Sequence, residues 1–146
     1  MNHRAVVILC VAMTMVACAG DGPPVVVSST TTSSVPGGGV SLEVLQSSIF
    51  TPKCAFLGCH DAITRSEGVD LSGAEESFNT LVGVPSVCGA RIRVVPGEPE
   101  ASYLLDKVGA GDEVPCNDIM PLGAPRLDDA EVDLLRTWIA QGATPP

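Results

Sequence analysis

The segment DDAEVDLLRTWIAQG, residues 128–142, decides the fold class of this chain. Asp128 is a favourable N-cap residue, and Glu131 three positions later completes a capping box. Gly142 is a typical C-terminal stop. Between these ends, apolar residues recur at intervals of three and four and so form one stripe on a helix: Val132, Leu135, Trp138 and Ile139. We therefore predict an amphipathic helix at the C-terminal end.

Weaker helical signals lie upstream of this segment. We predict three shorter helices: Leu42–Phe50, Ala74–Val82, and one that begins at Pro99, carries Tyr103, Leu104 and Val108 on one face, and ends at Gly109. Ser41 caps the first helix and Pro52 stops it, while Ser72 leads into the second. The longest run of alternating β-branched residues is Arg91–Val95. The sequence therefore predicts a small all-α domain with long Pro/Gly loops.

The N-terminal residues carry an export signal. Arg4 precedes an apolar run from Ala5 to Ala17, which is the order of a secretory signal. The run is shorter than the roughly 20 residues that a membrane-spanning helix needs. Met15-Val16-Ala17-Cys18 resembles the lipobox of bacterial lipoproteins, with Met15 in place of the usual Leu. The resemblance implies a signal peptide over residues 1–17 and a lipid on Cys18; the alternative is an ordinary cleavable signal with an incidental cysteine.

A spacer follows the signal. Residues 18–40 are rich in Ser, Thr, Pro and Gly and show no helical or strand periodicity, so they bury too little apolar surface to offset the entropy of ordering. We predict a flexible tether over residues 18–40 and one folded domain over residues 41–146. The lipobox resemblance implies an exported protein that is anchored to a bacterial membrane on its periplasmic or cell-surface side.

Four cysteines fall in the predicted domain: Cys54, Cys59, Cys88 and Cys116. An even number in an oxidising compartment favours two disulfides, with three possible connectivities. However, residues 54–60 read Cys-Ala-Phe-Leu-Gly-Cys-His, a C-x4-C-H pattern that resembles the c-type haem attachment site C-x-x-C-H. In that site two thiols add to the haem vinyl groups and the histidine binds iron. Because the spacer here is longer, Cys59 and His60 match the motif more closely than Cys54.

Composition singles out a second candidate ligand. Beyond the predicted signal peptide, His60 is the only histidine and Met120 the only methionine. Met120 lies among prolines and glycines before the C-terminal helix, where small monohaem cytochromes c place their distal haem ligand. The alternative use of such a methionine is filling a gap in an apolar core.

The resemblance extends over residues 45–143. Four segments occur in the order found in the cytochrome c-like domains of exported lipoproteins in myxobacteria and planctomycetes: Ile49–Cys54, Val95–Leu104, Met120–Gly123 and Trp138–Ala143. The resemblance implies a cytochrome c-like fold that binds one covalent haem c and transfers electrons to a redox protein partner, without enzymatic activity.

The same resemblance implies specific roles for the site residues. Cys54 and Cys59 would attach the haem, and His60 and Met120 would bind its iron. Apart from the resemblance, we expect Leu135 and Trp138 of the C-terminal helix to cover the porphyrin edge. Cys88 and Cys116 have no place in the haem motif and flank the segment that leads to Met120, so we expect them to form a disulfide.

Charge and motif content exclude other classes. Seventeen Asp and Glu against eight Lys and Arg give a net charge of -9, and no basic cluster is present to neutralise a nucleic-acid backbone. A hydrolase is disfavoured because the chain lacks a G-x-S-x-G segment. Two binding alternatives stay open. One is a haem-free, disulfide-stapled binding lipoprotein; the other is a zinc site formed by Cys54, Cys59 and His60 with Cys88 or Cys116.

Overall fold

The structure is a computed structural model that describes residues 39–113 and 115–146. The predicted signal peptide (1–17), the lipidation site Cys18 and the predicted tether (18–40) up to residue 38 lie outside the described residues. Within the described ranges the chain is helix-rich and contains no β-strand, so the prediction of a small helical fold is confirmed.

The first helical segment is longer than predicted. It consists of α1 (Leu42–Leu45), a π-helical turn (Gln46–Phe50) and α2 (Thr51–Lys53), which follow one another directly. Pro52 was expected to stop the helix, yet helical backbone continues to Lys53. The π turn widens the backbone ahead of Pro52, and the Thr51 N–H donates to the Gln46 carbonyl five residues back. Such a turn accommodates a residue without an N–H, whose ring would otherwise crowd the preceding turn.

The helix α3 spans Ala74–Leu81, close to its predicted bounds. Its N-cap position is Gly73 and not Ser72. The Ser72 hydroxyl instead donates to Asp70 Oδ1 at 2.6 Å. Leu81 is buried and Phe78 is half-buried against the core, so the apolar face predicted for this helix points inward.

The single helix predicted from Pro99 is divided in two. A 3-10 turn covers Pro99–Ala101, and α4 covers Tyr103–Lys107. Ser102 between them is extended (φ -87°, ψ 113°). Its hydroxyl donates to the Glu98 carbonyl at 2.9 Å and accepts the Val95 N–H at 2.9 Å. These local bonds compete with the helical ones and break the helix at Ser102.

The last helix, α5, spans Asp129–Ala140 and has the predicted capping box. Asp128 Oδ1 accepts the Glu131 N–H at 2.9 Å, and Glu131 Oε2 accepts the Asp128 N–H at 3.0 Å. Three residues of the predicted stripe are fully buried: Leu135, Trp138 and Ile139. Val132, the fourth, is half-buried.

The core lies between the first helical segment and α5. Its largest fully buried apolar side chains are Trp138, Phe50, Leu42, Leu45, Ile49, Leu105, Leu135, Ile139 and Val94. The α1 helix packs against α3 and α5, and α4 packs against α5. The alternating run Arg91–Val95 contributes only isolated bridges, Ile92 with Pro85 and Val94 with Val82. No helix in the described ranges is both long and apolar enough to cross a membrane.

Candidate cofactor site

A cavity of about 440 Å³ opens beside the core. Its wall is mainly apolar and includes core side chains from the first helical segment, α3, α4 and α5. Cofactor pockets in proteins are typically about 300–1,000 Å³ and mostly apolar, with a few polar groups. Five of the site residues singled out in the sequence lie on the wall: Cys54, His60, Cys88, Met120 and Leu135. The cavity therefore brings together side chains that are far apart in the chain.

Two backbone hydrogen bonds fix the position of His60. Its N–H donates to the Cys54 carbonyl at 3.3 Å, and its carbonyl accepts the N–H of Leu71 at 2.8 Å. Because Leu71 belongs to the buried core, the histidine is anchored to the folded interior and not only to its own loop.

One nitrogen of the His60 ring is unsatisfied, and the surroundings of the ring favour its neutral form. Its Nδ1 atom is buried and has no hydrogen-bond partner. The pKa of the imidazole is lowered, first because burial penalises the charged ring and also because of the charges of Arg93 and Lys107. Backbone groups of Val69 and Ser66 oppose this shift. A neutral imidazole is the form that binds metal ions.

The two cysteines of the C-x4-C-H pattern differ in their surroundings. Cys54 is half-buried on the cavity wall, and burial raises the pKa of its thiol to about 11. Cys59 is exposed and does not line the cavity. Both thiols are free. The sequence favoured Cys59 over Cys54 as a match to the motif, whereas the structure places Cys54 beside the cavity.

Asp61 organises the loop that carries these cysteines. Its Oδ1 accepts the N–H groups of Ile63 (2.8 Å) and Thr64 (3.1 Å), and its Oδ2 accepts the Gly58 N–H at 3.0 Å. These bonds, with that of the Thr64 hydroxyl as the largest cause, lower the pKa of Asp61 to about 2. Asp61 was not among the predicted site residues, although an aspartate that accepts backbone N–H groups two and three residues on is a recognised turn signal.

Met120 is tied to α4 through its backbone. Its N–H donates to the Lys107 carbonyl at 2.8 Å. Four residues earlier, the Cys116 carbonyl accepts the Lys107 ammonium at 3.0 Å. Cys116 is also joined to Cys88 in a disulfide, with 5.9 Å between their Cα atoms. The loop before Met120 is therefore fastened to two other parts of the domain.

The two residues of α5 expected at the site have different positions. Leu135 lines the cavity, but Trp138 does not. Trp138 is fully buried, and its indole N–H donates to the Thr144 carbonyl at 3.1 Å. The expectation that Trp138 covers a ligand edge is therefore wrong: this side chain packs inside the core and fastens the C-terminal segment.

Two observations bear on a zinc site. Within residues 39–113 and 115–146, no three His, Cys, Asp or Glu side chains converge in a way that could hold a metal ion. Cys88 and Cys116 are bonded to each other, so neither offers the thiolate that the zinc alternative requires.

Comparison with known proteins adds no relative: the chain matches no protein family, no curated protein and no solved structure.

The Cys88–Cys116 disulfide yields a prediction for unfolding and thiol chemistry. Closing a loop with a sequence separation of 28 contributes roughly 3 to 4 kcal/mol in the chain-entropy model. We expect Cys88→Ser/Cys116→Ser to lower the free energy of unfolding by about that amount in a urea titration. Peptide mapping of the unreduced wild type after alkylation should find Cys88 and Cys116 unlabelled. Labelled Cys88 and Cys116 would contradict the pairing.

The loop should also respond to acid. Because the pKa of Asp61 in the folded protein is about 2, below the unfolded value of about 3.9, its stabilisation is complete above the unfolded value and is lost as pH falls towards 2. We expect the amide-exchange protection of Gly58, Ile63 and Thr64, corrected for intrinsic rates, to fall over this range. Asp61→Asn should lower this protection at neutral pH. Asp133→Asn on the exposed face of α5 serves as the control, and equal protection in both variants would contradict the role of Asp61.

Proposed function

We propose that this chain is a membrane-tethered electron carrier that binds one covalent haem c. One observation carries the proposal: the only histidine and the only methionine beyond the predicted signal peptide line one apolar cavity, together with Cys54. The export signal, the lipid on Cys18 and a redox protein as partner belong to the same proposal. They rest on the sequence patterns described above.

The residues on the cavity wall fit such a cofactor. The cavity is of cofactor size and mainly apolar. Burial lowers the pKa of His60, which favours the neutral ring, and its buried Nδ1 atom lacks a partner. In haem proteins a histidine nitrogen and a methionine sulfur are a common axial pair. His60 and Met120 would therefore hold the iron, which when bound accepts and releases one electron.

The cysteines would provide the covalent attachment. Each thiol would add across a haem vinyl group: a sulfur–carbon bond forms, the thiol proton passes to the other vinyl carbon, and no oxidant is needed. Cys54 is the thiol on the cavity wall, so we assign it the first thioether. Cys59 is exposed, and we assign it the second.

Met120 would set the chemistry of the site. Thioether sulfur stabilises ferrous over ferric iron and raises the reduction potential. With His60 and Met120 both bound, no axial position is left for oxygen or peroxide. Electron transfer without substrate binding is the activity that this ligand set favours.

The disulfide and the apolar cavity also suit a second function. A haem-free binding lipoprotein, stapled by Cys88 and Cys116, would use the cavity for a small apolar ligand. Optical absorption separates the two functions, because a covalent haem gives a Soret band that survives acid-acetone extraction, whereas a haem-free binding protein gives none.

The first prediction of this proposal concerns attachment. The wild-type chain, expressed with a haem-attachment system, should stain for haem on a denaturing gel. Cys54→Ser and Cys59→Ser should each reduce the stain, since each removes one thioether, and the double variant should be unstained. We also expect His60→Ala to abolish staining. A colourless wild type would contradict the haem function.

The second prediction concerns the axial methionine. The ferric wild type should show the weak far-red band of sulfur-to-iron charge transfer. In Met120→Ala this band should disappear, the reduction potential should fall, and added imidazole should bind more readily, because the sixth iron position is then free. Leu122→Ala, an exposed position on the same loop, is the matched control. If Met120→Ala and wild type have the same spectra, Met120 only fills space.

A further inference from the structure

Arg93 is a buried cation that makes no ion pair within the described residues. The residue is 8% exposed. Its guanidinium donates to three backbone carbonyls: Thr80 at 2.7 Å, Glu67 at 2.6 Å and Gly68 at 3.3 Å. It forms no ion pair with any carboxylate of residues 39–113 and 115–146. Arg91, two positions earlier, is different, because it pairs with Asp106 and Glu113.

An unpaired buried charge is unfavourable. Removal of a guanidinium from water costs free energy that neutral carbonyl groups offset only in part. Consistent with this, burial lowers the pKa of Arg93, and the charge of Glu67 opposes this shift only in part. Arg93 has five N–H donors, and its three hydrogen bonds to carbonyls leave two without a protein partner. The residue lies on the wall of the cavity, and its charge helps to lower the pKa of His60 on the same wall.

The other charged side chains on the cavity wall are less buried than Arg93. Two carboxylates line the cavity, those of Glu67 and Asp118, but both residues are exposed. Lys107 adds a second positive charge to the wall. The buried part of the wall is therefore positive, and a ligand that complements it carries an anionic group.

We infer that Arg93 binds a carboxylate of the ligand in this cavity. A guanidinium with two free N–H groups matches a carboxylate, which accepts charge-assisted hydrogen bonds from it. The inference rests on the proposed function and deepens it, because it assigns the residue that would hold a propionate of the haem. It also predicts that the site selects a porphyrin with free carboxylates over its neutral ester.

The holoprotein provides the direct test. Resonance Raman spectra contain a propionate bending band whose frequency depends on the hydrogen bonds of the carboxylate. We expect Arg93→Gln to shift this band and lower the reduction potential, and Arg93→Lys to restore part of both. Arg126→Gln removes an exposed positive charge that does not line the cavity, and should leave the band in place. An unshifted band in Arg93→Gln would overturn the inference.

A second measurement does not need iron or covalent attachment. The full chain is titrated with metal-free protoporphyrin and with its dimethyl ester, and binding is followed by quenching of Trp138 fluorescence. Hydrogen bonds to charged groups predict that the wild type prefers the free acid roughly 10- to 100-fold. Arg93→Gln should lose most of this preference, because its affinity for the free acid should fall far more than its affinity for the ester.

The possible results of this titration are distinct. If Arg93→Gln lowers the affinity for the free acid and for the ester equally, Arg93 has a purely structural role. If the wild type shows no preference for the free acid, the ligand carboxylate makes no contact with Arg93. Either result overturns the inference. A wild type that prefers the free acid but never stains for haem would contradict the proposed haem function and leave the carboxylate contact in place.

Discussion

The packing of the first helical segment against α5 is the interaction on which the rest of the domain depends. Within these two elements Ile49, Phe50 and Leu135 are fully or almost fully buried, and the same three residues line the cavity. These three side chains therefore belong to the hydrophobic core and also form part of the cavity wall. A folded region of about 100 residues with so few aromatic side chains buries limited apolar surface. A planar apolar ligand that packs against these side chains would extend the core. Its binding would therefore raise the free energy of unfolding of the domain.

The candidate ligands His60 and Met120 lie in loops. Hydrogen bonds and a disulfide, and not helices, fix the positions of these loops. His60 is fastened to the core through Leu71, and its loop is closed by the carboxylate of Asp61. The backbone of Met120 is fastened to Lys107, behind a segment that is tied back by the Cys116 disulfide. Loops held at several points present side chains in fixed places while the helices beneath them supply rigidity. A two-ligand site on such loops requires these ties, because neither loop contains enough apolar surface to order itself.

Features that depend on contacts between near neighbours in the chain were predicted from the sequence more fully than features that depend on long-range contacts. The capping box at Asp128 and the stripe of α5 involve near neighbours, and both predictions were confirmed. The break at Ser102 is also local, but a serine in a helical pattern does not reveal that its hydroxyl will bond to Glu98. Trp138 was predicted on the correct face of α5, yet a helix face does not distinguish core from cavity. Arg93 was missed because the carbonyl groups that hold it come from residues 67, 68 and 80, which only the folded chain brings together.

The long spacer between the two cysteines forms a loop that does not line the cavity. The His60 N–H donates to the Cys54 carbonyl, so the two ends of the C-x4-C-H segment meet although five residues separate them. The intervening chain turns outward, with Leu57 82% exposed and Gly58 in the left-handed region at φ 86°. A spacer of different length would change the size of this outward loop and not the distance between its ends. Cys54 and His60 would therefore keep their places on the cavity wall, whereas the position of Cys59 on the loop would depend on the length of the spacer.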